Sequence, residues 1–222
     1  MARRRPAVPS APGVDFNPAP PRCMSATALL VHGLGSSPAW WKPLLPPLHR
    51  IGLQPKALDL PSLEEAGPDS WCGVVIQHLG RSPALLIGHS LGAAVCATVA
   101  RRHRVEGLVL LACPPFLPGH TPPPPPGTGL SGAAIARVER FLRSACAHAP
   151  AGARQCIHFV GAKDRWVPEA QARDLPFPLA VIPDAGHGLN RSPGLASELT
   201  RFLVTWGFCS GRPSSALPGA QP

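Results

Sequence analysis

A short apolar run, Ala84–Ile87, passes directly into Gly88-His89-Ser90-Leu91-Gly92 and then into the small-residue run Ala93–Ala100. A brief apolar run bounded by glycine reads as a strand buried on both faces, and the run after it, free of glycine and proline, reads as a helix. A G-x-S-x-G pattern at such a junction puts the serine on a sharp strand-to-helix turn, and the flanking glycines remove the side chains that would crowd it. Ser90 is therefore the first candidate for a nucleophile. The strand–turn–helix succession also commits this part of the chain to a parallel sheet.

The same alternation continues on both sides. Strands are expected at 26–31, 54–58, 84–87, 105–112, 156–160 and 179–182, most of them short apolar runs. Helices are expected from Pro38 to about His49, from an Asp69 cap through Trp71, Val74, Val75 and Leu79, and over 91–102, 133–147, 167–175 and 193–208. The last carries Leu195, Leu199, Phe202, Leu203 and Trp206 on one face. Six short strands separated by helices indicate an α/β fold, with a mostly parallel six-stranded sheet covered on both faces. Loops leaving the carboxyl ends of such strands meet on one rim, where open α/β sheets place their sites.

Proline sets the boundaries. The chain has 222 residues and 31 prolines, unevenly placed. Residues 1–23 and 210–222 are rich in proline with little to bury and read as disordered tails. Residues 24–209 read as the folded domain, interrupted by a stiff, proline-rich, cap-like segment at 114–132 that includes Pro122–Pro126.

Composition excludes several functions. The net charge is +9, but the arginines are dispersed and follow no nucleic-acid-binding pattern, so no nucleic-acid partner is expected. No run is long and apolar enough to span a membrane. The seven cysteines have no metal-binding spacing; their odd number and the lack of an apolar leader point to free thiols in the cytoplasm.

The chemistry lies at the strand ends. Counting strands places Ser90 after the third, Asp164 after the fifth in Gly161-Ala162-Lys163-Asp164, and His187 after the sixth in Asp184-Ala185-Gly186-His187-Gly188. A serine hydroxyl attacks a carbonyl only when a neighbouring imidazole takes its proton, and that imidazole needs a carboxylate to fix its tautomer. Asp184 and Asp59 are rival rim carboxylates, with Asp184 better placed to shape a turn. Donors for an oxyanion are expected from Leu91 N–H at the start of a helix and from Leu34 N–H in His32-Gly33-Leu34-Gly35-Ser36-Ser37. His32, His89 and His187 have no companion ligands for a closed metal shell, so no metal or other cofactor is expected.

These residues, with Trp40-Trp41 and Val167-Pro168, resemble the successive motifs of the α/β-hydrolase superfamily over about residues 26–208. The closest likeness is to small esterase-like members with a reduced cap. The resemblance implies Ser90 as nucleophile, Asp164 as acid, His187 as base, and Leu34 and Leu91 as oxyanion donors. Where the family carries a helical cap, this chain has a proline-rich ribbon and one helix, which implies a shallow pocket. Trp40, Trp41, Phe116, Phe141 and Trp166 are the candidates for its wall, although Trp40 or Trp41 can equally pack the first helix against the sheet. The expected reaction is hydrolysis of a carboxylic ester through an acyl-enzyme, with acyl chain and leaving group left open. A thioesterase or acyltransferase of the same fold, or a catalytically silent interaction module, is the alternative. Oligomeric state is left open.

Overall fold

The computed structural model describes residues 26–80, 84–115, 129–145 and 152–208. Both expected tails, Phe116 and most of the proline-rich segment lie outside those residues. The strands are β1 Thr27–Val31, β2 Gln54–Ala57, β3 Leu85–His89, β4 Gly107–Leu111, β5 Cys156–Gly161 and β6 Leu179–Ile182. They form one sheet in the order β2-β1-β3-β4-β5-β6, with every neighbouring pair parallel. This is the sheet that the alternation of apolar runs and helical segments predicts.

The central strands β1, β3 and β4 are buried almost throughout, because helices cover both faces. Leu29, Val31, Leu86, Leu108 and Leu110 point to one core, shared with α2 (Leu63–Leu79), α3 (Leu91–Arg102) and α4 (Gly132–Ala145). Leu30, Ile87, Val109 and Leu111 point to the other, shared with α1 (Leu45–Arg50) and α6 (Pro193–Thr205). Fully burying a leucine stabilises the fold by roughly 1.5–3 kcal/mol, so these alternating residues fix strand register strongly. The chain leaves β1 toward β2 but leaves β3 toward β4, so the switch in winding direction lies between β1 and β3. An open α/β sheet forms its crevice at such a point, and both His32-Gly33 and Ser90 emerge there.

Several elements differ from the sequence expectation for local reasons. The helix expected from Pro38 to His49 divides into a 3-10 turn at Pro38–Trp41 and α1, because Pro43, Pro46 and Pro47 cannot supply interior helix donors. Asp69 is not the start of α2. Ser62 caps it, accepting from Glu64 N–H at 3.2 Å, and the helix kinks at Gly67, whose φ of 68° precedes Pro68. The helix expected over 167–175 is the single turn α5, Glu169–Ala172. Val105 makes only an isolated bridge to Ala153 and stands outside β4. The final helix stops at Thr205, and Gly207 takes the left-handed conformation that ends it. Its Leu195, Leu199 and Leu203 are buried, while Phe202 and Trp206 are half-buried at the margin of the same core. Among the described residues no helix is long and apolar enough to cross a membrane.

Candidate active site

Ser90 sits between β3 and α3 with φ 53° and ψ −122°, a left-handed conformation that a side chain adopts only at a cost. Its surroundings enforce it. Ser90 N–H donates to Leu111 O at 2.8 Å, and Ser90 O accepts from Ala93 N–H at 2.9 Å. A methyl on Gly88 would lie 2.4 Å from Gly92 O, and one on Gly92 would lie 2.3 Å from Val31 O. Both glycines are thus required by close backbone packing, which holds the hydroxyl up at the rim.

His187 reaches the serine from the loop after β6. Its Nε2 lies 3.1 Å from Ser90 Oγ, and its Nδ1 lies 2.9 Å from Asp164 Oδ2. Asp164 is held in turn. Its side chain is fully buried, and Oδ1 accepts from Trp166 N–H at 2.8 Å and Val167 N–H at 2.9 Å. One oxygen therefore fastens the carboxylate to the loop after β5 and leaves the other for imidazole. With Nδ1–H donated to Asp164, the neutral ring presents the lone pair of Nε2 to the hydroxyl. Asp184 is exposed and accepts from Ser192 Oγ at 3.2 Å, at the start of α6. It shapes the turn and does not meet His187.

The loop after β1 lies against the serine. A methyl on Gly33 would stand 2.9 Å from Ser90 Cβ and 2.9 Å from His89 Nδ1, so glycine is what lets the backbone approach. Leu34 N–H follows directly, and Leu91 N–H opens α3 on the other side. Neither donates to any group among the described residues, which leaves both for an anionic oxygen. His32 is buried beside them. Its Nδ1 donates to Gly33 O at 3.0 Å, and burial holds its pKa below the usual histidine range against the opposing pull of that carbonyl and Asp59.

The expected wall residues separate. Trp40 is half-buried and stacks on the His89 ring, centroids 4.1 Å apart and planes 19° apart. Trp166 is half-buried, its ring 6.4 Å from that of His187. Trp41 and Phe141 are instead buried in the two cores, Trp41 on the α1 and α6 side and Phe141 on the α2 to α4 side. Phe116 lies outside the described residues. The sequence reading missed His89 and Asn190 as members of the site. His89 Nε2–H donates to His187 O at 2.9 Å, and Asn190 Nδ2–H donates to Trp40 O. No periodicity marks either residue; the only signal was a histidine inside the elbow motif itself. Among the described residues no group of three or more His, Cys, Asp or Glu side chains could hold a metal ion.

Comparison with known proteins follows the same outline. Residues 28–198 match the sequence family described as the alpha/beta hydrolase family. Among solved structures, a monoacylglycerol lipase from Paleococcus ferrophilus is similar at a TM-score of 0.64 and 18% identity, covering 82% of this chain and 93% of that one. The alpha/beta hydrolase domain-containing protein 10 from mouse is similar at 0.64 and 15% identity, covering 82% and 89%. Est1E from Butyrivibrio proteoclasticus, solved with ferulic acid bound, is similar at 0.61 and 18% identity, covering 84% and 90%. No curated protein sequence matches the chain.

Proposed function

The chain belongs to the alpha/beta hydrolase family, and from that premise we propose that it is a serine hydrolase cleaving a small carboxylic ester. The observation that carries this reading is the unbroken relay from Ser90 Oγ through both His187 nitrogens to Asp164, at 3.1 and 2.9 Å. A hydroxyl has little reactivity until its proton can leave, and this relay supplies the acceptor and the charge that stabilises it.

In the first step Ser90 Oγ attacks the ester carbonyl carbon as His187 Nε2 takes its proton. The carbonyl oxygen becomes an oxyanion and receives the Leu34 and Leu91 N–H groups, while Asp164 faces the imidazolium through Nδ1. His187 returns the proton to the departing alkoxide, which leaves as an alcohol, and Ser90 is left acylated. Water, losing a proton to the same Nε2, releases the acid and restores the hydroxyl. A thioester would react by the same steps. Trp40, half-buried on His89, and Trp166, half-buried beside His187, support a site open to a small substrate. The cytoplasm is the compartment this reading favours, and the free thiols of Cys72 and Cys96, both buried, and of half-buried Cys156 support it.

The test is covalent labelling by a fluorophosphonate, which reacts with an activated serine. The parent is expected to label and the S90A variant to stay unlabelled. A folded parent that does not label, or labelling that survives S90A, overturns the reading.

A further inference from the structure

The second position of the elbow motif carries no steric demand of its own. The close backbone contacts fall on Gly88 and Gly92, yet residue 89 is a histidine with only 5% of its surface exposed. Burying an imidazole costs hydration that an aliphatic side chain would not lose, so its hydrogen bonds indicate its use. We propose that His89 is a positioning residue for His187: the Nε2–H it donates to the His187 carbonyl sets the base over Ser90. This rests on the hydrolase reading above.

Three contacts and the chain from His187 to Asn190 close a ring around the base. His89 Nε2–H holds His187 O at 2.9 Å, and the flat of the same imidazole stacks on Trp40. The Trp40 carbonyl is gripped by the Asn190 amide, and Asn190 lies just beyond His187 on the same loop. The loop after β6 is thus tied at two points to the loop after β1, with the elbow histidine between them. The bond also dictates a tautomer. A carbonyl accepts, so Nε2 carries the proton and Nδ1 carries the lone pair, buried against Gly33 with no partner among the described residues. Burial, followed by the neighbouring His187, holds the His89 pKa down to about 3, against the pull of the His187 carbonyl and Asp164. The titratable groups around it are His187, Asp164 and His32, and beside them His89 stays neutral while His187 cycles its proton.

His89 cannot itself take the serine's proton, because the only nitrogen with a lone pair faces Gly33. Its effect has to pass through the placement of His187. A base displaced by a fraction of an ångström loses the alignment of the relay at both ends, and its imidazolium is then less well stabilised by Asp164.

The decisive experiment measures the rate of fluorophosphonate labelling against pH in the full chain, for the parent, H89F and H89Q. H89F keeps a ring for Trp40 but donates nothing; H89Q restores an N–H at a similar reach. H89F is expected to label about 10- to 100-fold more slowly, the loss typical of a misplaced catalytic group, with its pH midpoint moved down. H89Q is expected to recover most of the rate and the parent midpoint. H89F labelling with the parent rate and midpoint overturns the proposal, as does H89Q no faster than a folded H89F. Nitrogen-15 spectra of histidine-labelled parent protein decide the point even where H89F does not fold. A proton on His89 Nε2 is expected, and a proton on Nδ1 overturns it. Parent protein that fails to label removes the hydrolase reading, whereas a parent that labels beside an indifferent H89F removes only this inference.

Discussion

Two neighbouring strand ends are built alike and serve different ends. β3 is followed by Ser90 and β4 by Ala112, the two non-glycine residues with positive φ among those described, at 53° and 47°. Each passes its N–H to the next strand, Ser90 to Leu111 O and Ala112 to Phe159 O, both at 2.8 Å. Each also has a histidine near it, His187 at Ser90 Oγ and His158 at the backbone of Cys113. The difference lies at the second nitrogen. His187 Nδ1 has Asp164, while His158 Nδ1 is buried with no partner among the described residues. Both turns have positive φ and a histidine; only the histidine at Ser90 has a carboxylate behind it, which is the arrangement a proton relay requires.

Removing that carboxylate's charge should therefore have the largest effect. Asn at position 164 can keep the oxygen that accepts from Trp166 and Val167, but it would turn an amide toward His187 Nδ1 and favour the wrong imidazole tautomer. D164N is expected to lower turnover of a nitrophenyl ester about 10³- to 10⁴-fold with the fold intact by circular dichroism. D184N is the control. Its carboxylate serves only Ser192 among the described residues, so turnover should stay near that of the parent, and a larger loss in D184N than in D164N would reassign the acid.

The other histidine should betray itself in acid. His158 Nε2 accepts from Cys113 N–H at 3.0 Å, which requires the neutral ring, and burial lowers its pKa to about 4. The unfolded chain takes up that proton near the ordinary value of about 6.5. Between the two values the unfolded state binds more protons, so stability is fully present above pH 6.5 and is lost as pH falls toward 4. Glutamine can offer Cys113 an acceptor without titrating. H158Q is expected to spare the protein on the order of 2–3 kcal/mol of the stability lost between pH 7 and pH 4, read from urea unfolding at the two pH values. Parallel losses in both proteins would show that His158 is not a source of acid lability.

How much of this could be read beforehand depends on the range of the interaction. The sheet was legible because runs such as Leu85–Ile87 and Leu108–Leu111 are short, apolar without a break and rich in branched side chains, as in a strand covered on both faces. Ser90, Asp164 and His187 were legible as positions, because strand order alone brings those three loops to one rim. The split of the first helix and the kink at Gly67 were harder, since proline can open a helix as readily as interrupt one. Trp41 and Phe141 show the clearest limit: an aromatic side chain has the same signature whether it lines a site or fills a core. His89 shows another, because its partner lies 98 residues away and nothing near it in the chain announces the contact.

The smallest expected effect separates strain kept for chemistry from strain kept for packing. Relative to S90A, S90G loses the penalty of a side chain at φ 53°, roughly 1–2 kcal/mol, but gains backbone freedom in the unfolded chain of roughly 0.4–1 kcal/mol. A net gain of about 0.5–1 kcal/mol is expected in urea unfolding. A112G should not show it. The Ala112 methyl is fully buried, and losing it forfeits about 0.8 kcal/mol, so the same relief is offset and stability should stay level or fall. A112G gaining as much as S90G would mean that the β4 turn, too, holds its residue against the preference of the fold.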